Sequence, residues 1–414
     1  IVESSPDNDV AFAKVNDYYN DIWKTLNSVS SNLGRSLNIL KRDISPRRMA
    51  EAFAKLDRNL NERERKELRE LNMENPLEVM RFIQRLGDPT LQDYFYEYWY
   101  NNILSGIPTH IINVGSNTLW GLFQVPFRAI SGAVDFGYSK FTGKPRQRYV
   151  SEVLPMLAGM KKGFKAGAGR AWSVIKTGKT PTELHTKWEL DLGGAIGAWG
   201  RSPNKIIRWF APFVGATGRA LRSMDVWANS IAFDGELYAT ARRKAKQEGL
   251  KGEARKKREK ELIENPSEEM VDNAKAFAKY NTFMDDPGKF TNWLIQGRHI
   301  IPGGRLIVPF VNTIANITKR GFEFIPGLGA IPISKTEKNY QTSVSDIVAK
   351  QLVGSIITAV LMWKYDEEIF TGAVPENKSE REAFYRQNKK PWSIKFGDKW
   401  ISYRRVEPWN IVLS

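Results

Sequence analysis

Residues 98–127 read YWYNNILSGIPTHIINVGSNTLWGLFQVPF, and no Asp, Glu, Lys or Arg interrupts them. A run of this length exceeds the roughly 20 residues that cross a bilayer as a helix. Its polar content argues against a plain span, because Asn101, Asn102, Asn113, Ser116, Asn117 and Gln124 all need partners in hydrocarbon. Pro108 and Pro126 each remove a backbone donor. The segment therefore reads as two buried or interfacial helical pieces broken at the prolines.

Upstream, Ser45-Pro46, Asn75-Pro76 and Asp88-Pro89 each look like a capped helix start. From Asp9 to Asn61 the apolar positions fall at helical spacing, with Phe12, Val15, Tyr19, Ile22, Trp23 and Leu26 on one stripe. Behind Asp88 comes an aromatic block, Tyr94, Phe95, Tyr96, Tyr98, Trp99 and Tyr100. Such rings pack in cores, sit at membrane interfaces or stack on bases.

Downstream, residues 156–200 are rich in Gly, Lys and Trp, a composition that lets helices approach closely or lets a chain move. Residues 201–238 combine apolar, aromatic and basic side chains, among them Ile206, Trp209, Phe210, Phe213 and Trp227. A sharp shift follows at 241–264, ARRKAKQEGLKGEARKKREKELIE, which reads as a charged helix or hairpin arm. Pro and Gly punctuate 277–333 and imply short helices and turns. Val344–Trp363 is the most hydrophobic helix, although Asp346 and Lys350 shorten it as a span.

Only WSIKFGDKWISY, residues 392–403, alternates with period two. A Gly397-Asp398 turn would pair Phe396 with Lys399, Ile394 with Ile401 and Trp392 with Tyr403. That mostly apolar face is expected to pack on the helical body, so that Ile394→Asp would be strongly destabilising. The fold class expected is mainly α, elongated or multi-subdomain, with one C-terminal β-hairpin. Four regions are expected: an N-terminal helical region 1–90, an apolar Gly- and aromatic-rich region 91–240, a basic arm 241–265, and a helical region with the hairpin 266–414. The ends of the chain suggest a segment of a longer polypeptide.

The 62 Lys and Arg outweigh 46 Asp and Glu, a net charge of +16 that favours polyanions such as nucleic acid or anionic lipid. With no Cys, disulfides, thiolate nucleophiles and Cys-ligated zinc are excluded. His110, His185 and His299 lie too far apart for a local metal motif. Gly178-Lys179-Thr180 and the Gly167-x-Gly169 pair lack the rest of a nucleotide-binding fingerprint. Glu3-Ser4 resembles the acid of a lytic transglycosylase but has no preceding helix to bury it. Asp285-Asp286, followed by Pro287-Gly288, reads as a helix-ending turn. No catalytic residue, metal ligand or cofactor site is expected.

Three phrases occur in order between residues 100 and 414: LSGIPTHIINVGSNTLWG, VPFVNTIANITKRGFEFIP and TGAVPENKSEREAFYRQNKKPWSIKFGDKWISYRRVEPW. Together they resemble segments of large polyvalent phage polypeptides, the internal virion (ejection) proteins of podoviruses. The resemblance implies a non-catalytic structural segment that is packaged with DNA in the virion and later assembles in the host envelope as a conduit for the genome. Its implied partners are other virion and ejection proteins, further copies in a homo-oligomeric ring, phage DNA and the host inner membrane. The residues leave open a DNA-associated scaffold within a virion-packaged polymerase, and a cell-wall-degrading segment.

On this reading two surfaces are expected. Arg242, Arg243, Lys244, Lys246, Lys251, Arg255, Lys256, Lys257, Arg258 and Lys260 would face nucleic acid or lipid headgroups. Trp120, Phe123, Phe127, Leu352, Ile356, Ile357, Leu361 and Trp363 would form an assembly or membrane surface.

Overall fold

The computed structural model describes residues 91–177, 197–285, 310–330, 343–365 and 369–413 except 405, with a few single positions beside them. The helical stripe at 9–61, Glu3-Ser4 and the caps at Ser45 and Asn75 lie outside the described residues. The described chain is mainly α with a small C-terminal sheet. Its helices are α1 (Leu91–Leu104), α2 (Ile107–Thr142), α3 (Val153–Thr177), the single turn α4 (Ala198–Arg201), α5 (Lys205–Val214) and α6 (Ala216–Gln247). They continue as α7 (Gly252–Glu264), α8 (Glu268–Asn281), α9 (Val311–Phe322) and α10 (Val344–Tyr365). Strand β1 (Phe370–Thr371), helix α11 (Lys378–Arg386), strands β2 (Ser393–Phe396) and β3 (Lys399–Ser402), and the short α12 (Trp409–Leu413) complete the chain.

Two compact units result. The first comprises Ile1–Asn101 and Glu189–Gly215, the second Asn102–Trp188 and Ala216–Ser414. The expected boundary at 240/241 falls inside the continuous helix α6, and α7 and α8 fold back on α6. The basic arm is thus part of the second unit rather than a separate region.

The uncharged run does not break where expected. Pro108 stands in the first turn of α2, where its missing N–H costs nothing, but Pro126 lies inside the same unbroken helix. Packing compensates for the lost hydrogen bond. Trp120 and Phe127 are buried on either side of it, and Trp120 meets Phe123, Tyr280, Phe283 and Phe324 at ring-centroid distances of 5.7 to 6.2 Å. Ile317, Ala349 and Val353 close the same cluster. The polar residues that argued against a bilayer span, Ser116, Asn117 and Gln124, are buried within the second unit.

The glycines of α3 serve close approach. A Cβ on Gly159 would collide with the Asp234 carbonyl, and one on Gly163 with the Ser230 carbonyl. On Gly167 it would lie 2.8 Å from Ser230 Cβ and 2.9 Å from Trp227 Cδ1. Spaced four apart, they form a stripe that lets α3 press onto the backbone of α6.

The hairpin has the expected register, with Ile394 opposite Ile401 and Phe396 opposite Lys399. Gly397 turns it with φ 56°, a conformation that favours glycine. Tyr403 N–H donates to the Trp392 carbonyl at 2.9 Å, which extends the pairing beyond the strands. β1 adds a third antiparallel strand against β2. The expected inward face is only partly buried: Tyr403 is buried and Ile394 and Trp392 are half-buried, but the turn end is not. Phe396 and Ile401 are 68% and 56% exposed, whereas Ser393 is fully buried. Polar contacts decide this orientation: Ser393 N–H donates to Thr371 Oγ1 at 3.0 Å, and the Tyr403 hydroxyl donates to the Thr371 carbonyl at 2.9 Å. Ile394 is half-buried in the middle strand, so Ile394→Asp is expected to cost less than the burial of a full charge.

Candidate functional site

The chemistry of the second unit is concentrated in charged side chains that its helices bury. Arg128, on the face of α2 opposite Pro126, donates Nη1 to Glu152 at 3.3 Å and Nη2 to Glu236. Arg243 approaches the same two carboxylates, with Nη2 2.8 Å from Glu152 and 3.2 Å from Glu236. Two guanidiniums and two carboxylates thus form a closed square among α2, the turn before α3, and α6. Burial alone would raise the Glu152 carboxyl, but Arg243 and Arg128 outweigh it and hold the group below its usual range.

One helical turn further along α2, Ser131 donates to Asp346 at the start of α10. Arg148 grips the same carboxylate, with Nε at 3.2 Å and Nη2 at 2.8 Å from its two oxygens. Asp135 follows on the same face, accepting the Ser345 hydroxyl at 2.6 Å and the backbone N–H of Arg148 at 3.1 Å. Burial opposes ionisation of Asp346, yet Arg148 and Arg128 hold its carboxyl well below the ordinary carboxylate range.

A third cluster joins α8, α9 and α10. Arg320 pairs with Asp285 and Glu323, Lys350 reaches Glu323 at 2.7 Å, and the Tyr280 hydroxyl donates to Glu323 at 2.8 Å. Arg320 and Lys350 also stand 3.8 and 5.0 Å from the Tyr280 ring centre. Burial pushes Glu323 up, but Arg320, Lys350 and the two hydrogen bonds bring it down to about 2. Asp285, read from sequence as part of a turn, is a buried ion-pair partner.

These three clusters bind helices of the second unit together. Glu152, Glu323 and Asp346 are held ionised by cations already in contact with them, the opposite of the upward tuning of a general acid. Among the described residues no group of three or more His, Asp or Glu side chains could hold a metal ion.

The basic stretch meets its own acids. Arg242 and Arg255 share Glu259, Arg243 belongs to the buried square, and Lys244 pairs with Glu269. Lys256 pairs with Glu253, Arg258 with Glu248 and Glu261, and Lys260 lies 3.8 Å from Glu264. Lys246 packs over the Tyr149 ring, and burial together with Arg146, Arg255 and Arg242 lowers its pKa. Among the described residues no carboxylate pairs with Lys251 or Lys257, and both are exposed. Lys256 and Lys260 are exposed but paired, while Arg242 and Arg243 are structural.

The expected assembly surface also divides. Trp120 and Phe127 are core residues, with Phe123 and Ile357 packed against them, so they offer no free surface. Leu361 is half-buried. Leu352, Ile356 and Trp363 remain, and α10 extends them into a ridge with Val344, Val348 and Val360, each 45% exposed or more. The opposite face of α10 carries the buried Asp346, Ala349, Lys350 and Val353. Among the described residues α10 is the one helix long and apolar enough to cross a membrane.

In the first unit, Glu97 of α1 accepts the N–H groups of Gly197 and Trp199 at 2.8 and 2.9 Å and so caps α4. Burial raises the Glu97 carboxyl more than these bonds and Arg201 lower it. The aromatic block is split: Tyr96 is buried and Tyr94 meets Trp199 edge-on, whereas Phe95 and Tyr98 are exposed. Helix α5 buries none of its residues. Its side chains were legible as apolar and aromatic, and their spacing of three and four residues was the signal that marks them as one face.

Compared with protein-family models, with curated proteins and with solved structures, the chain matches none of them.

Proposed function

We propose that this chain is a non-catalytic structural segment of a phage internal virion or ejection protein, and that copies of it associate into a conduit for the genome. The observation that carries this reading is the ridge on α10. Seven large apolar side chains from Val344 to Trp363, Met362 among them, are exposed along ~28 Å of helix, while the other face is clamped by Asp346 and Lys350. Contiguous apolar surface of this extent marks an interaction face. A clamped helix of this kind is held in place to present its ridge to a neighbour. The net positive charge suits residence beside packaged DNA, and the saturated ion pairs suit a structural role. The resemblance of the three sequence phrases to podovirus ejection proteins supports the same reading.

The test is the mass of the purified chain over a wide concentration range, with electron microscopy of any assembled species. Closed oligomers are expected, and Leu352→Asp combined with Ile356→Asp should return them to monomers with an unchanged thermal transition. A chain that stays monomeric at every concentration would overturn the assembly reading.

A further inference from the structure

We propose that α5 is a lipid-docking helix that lies flat on an anionic bilayer surface. It is built locally. Asn204 caps it by accepting the Ile206 N–H at 2.8 Å, and Arg208 ties back to the Ser202 carbonyl at 3.0 Å. Its conformation is therefore secured by caps and not by burial of its apolar stripe. Ile206, Trp209, Phe210 and Phe213 recur at i, i+3, i+4 and i+7, and are 70%, 66%, 45% and 68% exposed. Trp209 stacks edge-on with Phe210 at 4.8 Å and leans on Phe213 at 5.7 Å, making one aromatic ridge. The half-buried Ile207, Ala211 and Val214 flank that ridge on one side, and Gly200 of α4 comes up to Ala211 there. Lys205, Arg208 and Pro212 occupy the remaining arc, so the proline interrupts the helix on its polar side.

The charge around this ridge selects its occupant. Residues 197–215 contain no acid, and α5 carries Lys205 and Arg208, both exposed. Two copies of such a segment would face each other with like charges, which opposes self-pairing. An anionic headgroup layer provides the counter-charge, and the acyl boundary beneath it takes the aromatic ridge. Trp209 beside Lys205 is an interfacial pairing, with the ring at headgroup depth and the ammonium reaching outward. The inference is independent of the proposed conduit, since a strictly monomeric chain can still dock by α5.

Because the chain has no Cys, Phe210→Cys places a single polarity-sensitive dye on the ridge of the full chain. Phosphatidylcholine vesicles with and without a phosphatidylglycerol fraction are the probes. With the anionic vesicles the emission should shift to the blue and be quenched by brominated acyl chains. Binding should be about tenfold or more tighter than to neutral vesicles at low salt, and that ratio should shrink as salt rises. Trp209→Ser combined with Phe213→Ser should abolish flotation, whereas Phe396→Ser combined with Ile401→Ser, equally exposed apolar residues elsewhere, should leave it. Ile206→Cys gives the same reading if the first labelled variant misfolds. Unchanged emission in a chain that still floats would overturn the proposal, as would absence of binding. A blue shift that grows with protein concentration without vesicles would overturn it in favour of a second copy.

Discussion

Arg148 and Asp346 lie 198 residues apart in sequence and meet through two parallel contacts of 3.2 and 2.8 Å, both groups buried. This geometry is a two-pronged guanidinium–carboxylate pair, and it fixes α10 against the segment that precedes α3.

Removing one partner leaves the other charged and dry. Asp346→Asn or Arg148→Met should each lower the unfolding free energy by about 3–5 kcal/mol. Arg148→Met combined with Asp346→Leu should cost less than the sum, because no orphan charge remains. Denaturant titration of the three variants checks this, and strict additivity would mean that the pair is not coupled.

Acid should weaken the second unit in a defined window. Glu323 is held down to about 2, against an ordinary 4.5. A depressed acid contributes stability that is complete above 4.5 and is lost as pH falls towards 2. The contribution is on the order of 3 kcal/mol. Asp346 and Glu152 act in the same sense. Glu97, in the first unit, is shifted upward and acts in the opposite sense. Denaturant midpoints at successive pH values should be level near neutrality and fall below about pH 4.5, and Glu323→Gln should flatten part of the fall.

The glycine stripe gives a paired test. Gly163→Ala forces a methyl into the Ser230 carbonyl and should destabilise by about 1–3 kcal/mol. Gly169 lies on the same helix with open space where a Cβ would sit, so Gly169→Ala should stabilise by about 0.5–1 kcal/mol. Thermal melts of the two variants should move in opposite directions.

At the sheet, Ile401→Asp should shift stability by no more than about 0.5 kcal/mol, because the side chain already stands in water. Thr371→Val, which removes the acceptor of the buried Ser393 N–H, should cost about 1–3 kcal/mol. The reverse order of these two effects would show that the apolar face is the inward one.

What could be read from the sequence follows from the range of each interaction. The mainly α class, the span Val344–Trp363 and the hairpin register rest on local periodicity and turn chemistry, and the structure has them. Pro126 misled because the aromatic packing that holds α2 straight comes from Tyr280, Phe283 and Phe324, far along the chain. The burial of Ser393 and Tyr403, on opposite faces of the hairpin, depended on Thr371, which no period-two pattern includes. The ion clusters left only an indirect trace, as charges such as Asp346 and Lys350 inside an apolar run. Arg242 and Arg243 looked like free cations because their carboxylates, Glu259 and Glu152, are not neighbours in the sequence.

The clasp on α2 has a mechanical consequence. Glu236 reaches Arg128 from 108 residues away, and Asp346 reaches Ser131 from 215. Apolar surfaces under tension slide and yield gradually, whereas ion pairs act over a few ångströms and lose their advantage once water enters between them. Pulled by its ends in an optical trap, the second unit should hold to a threshold and then open in one abrupt step. Such a body is brittle rather than plastic: it keeps its shape under load, and once opened its charges are rehydrated.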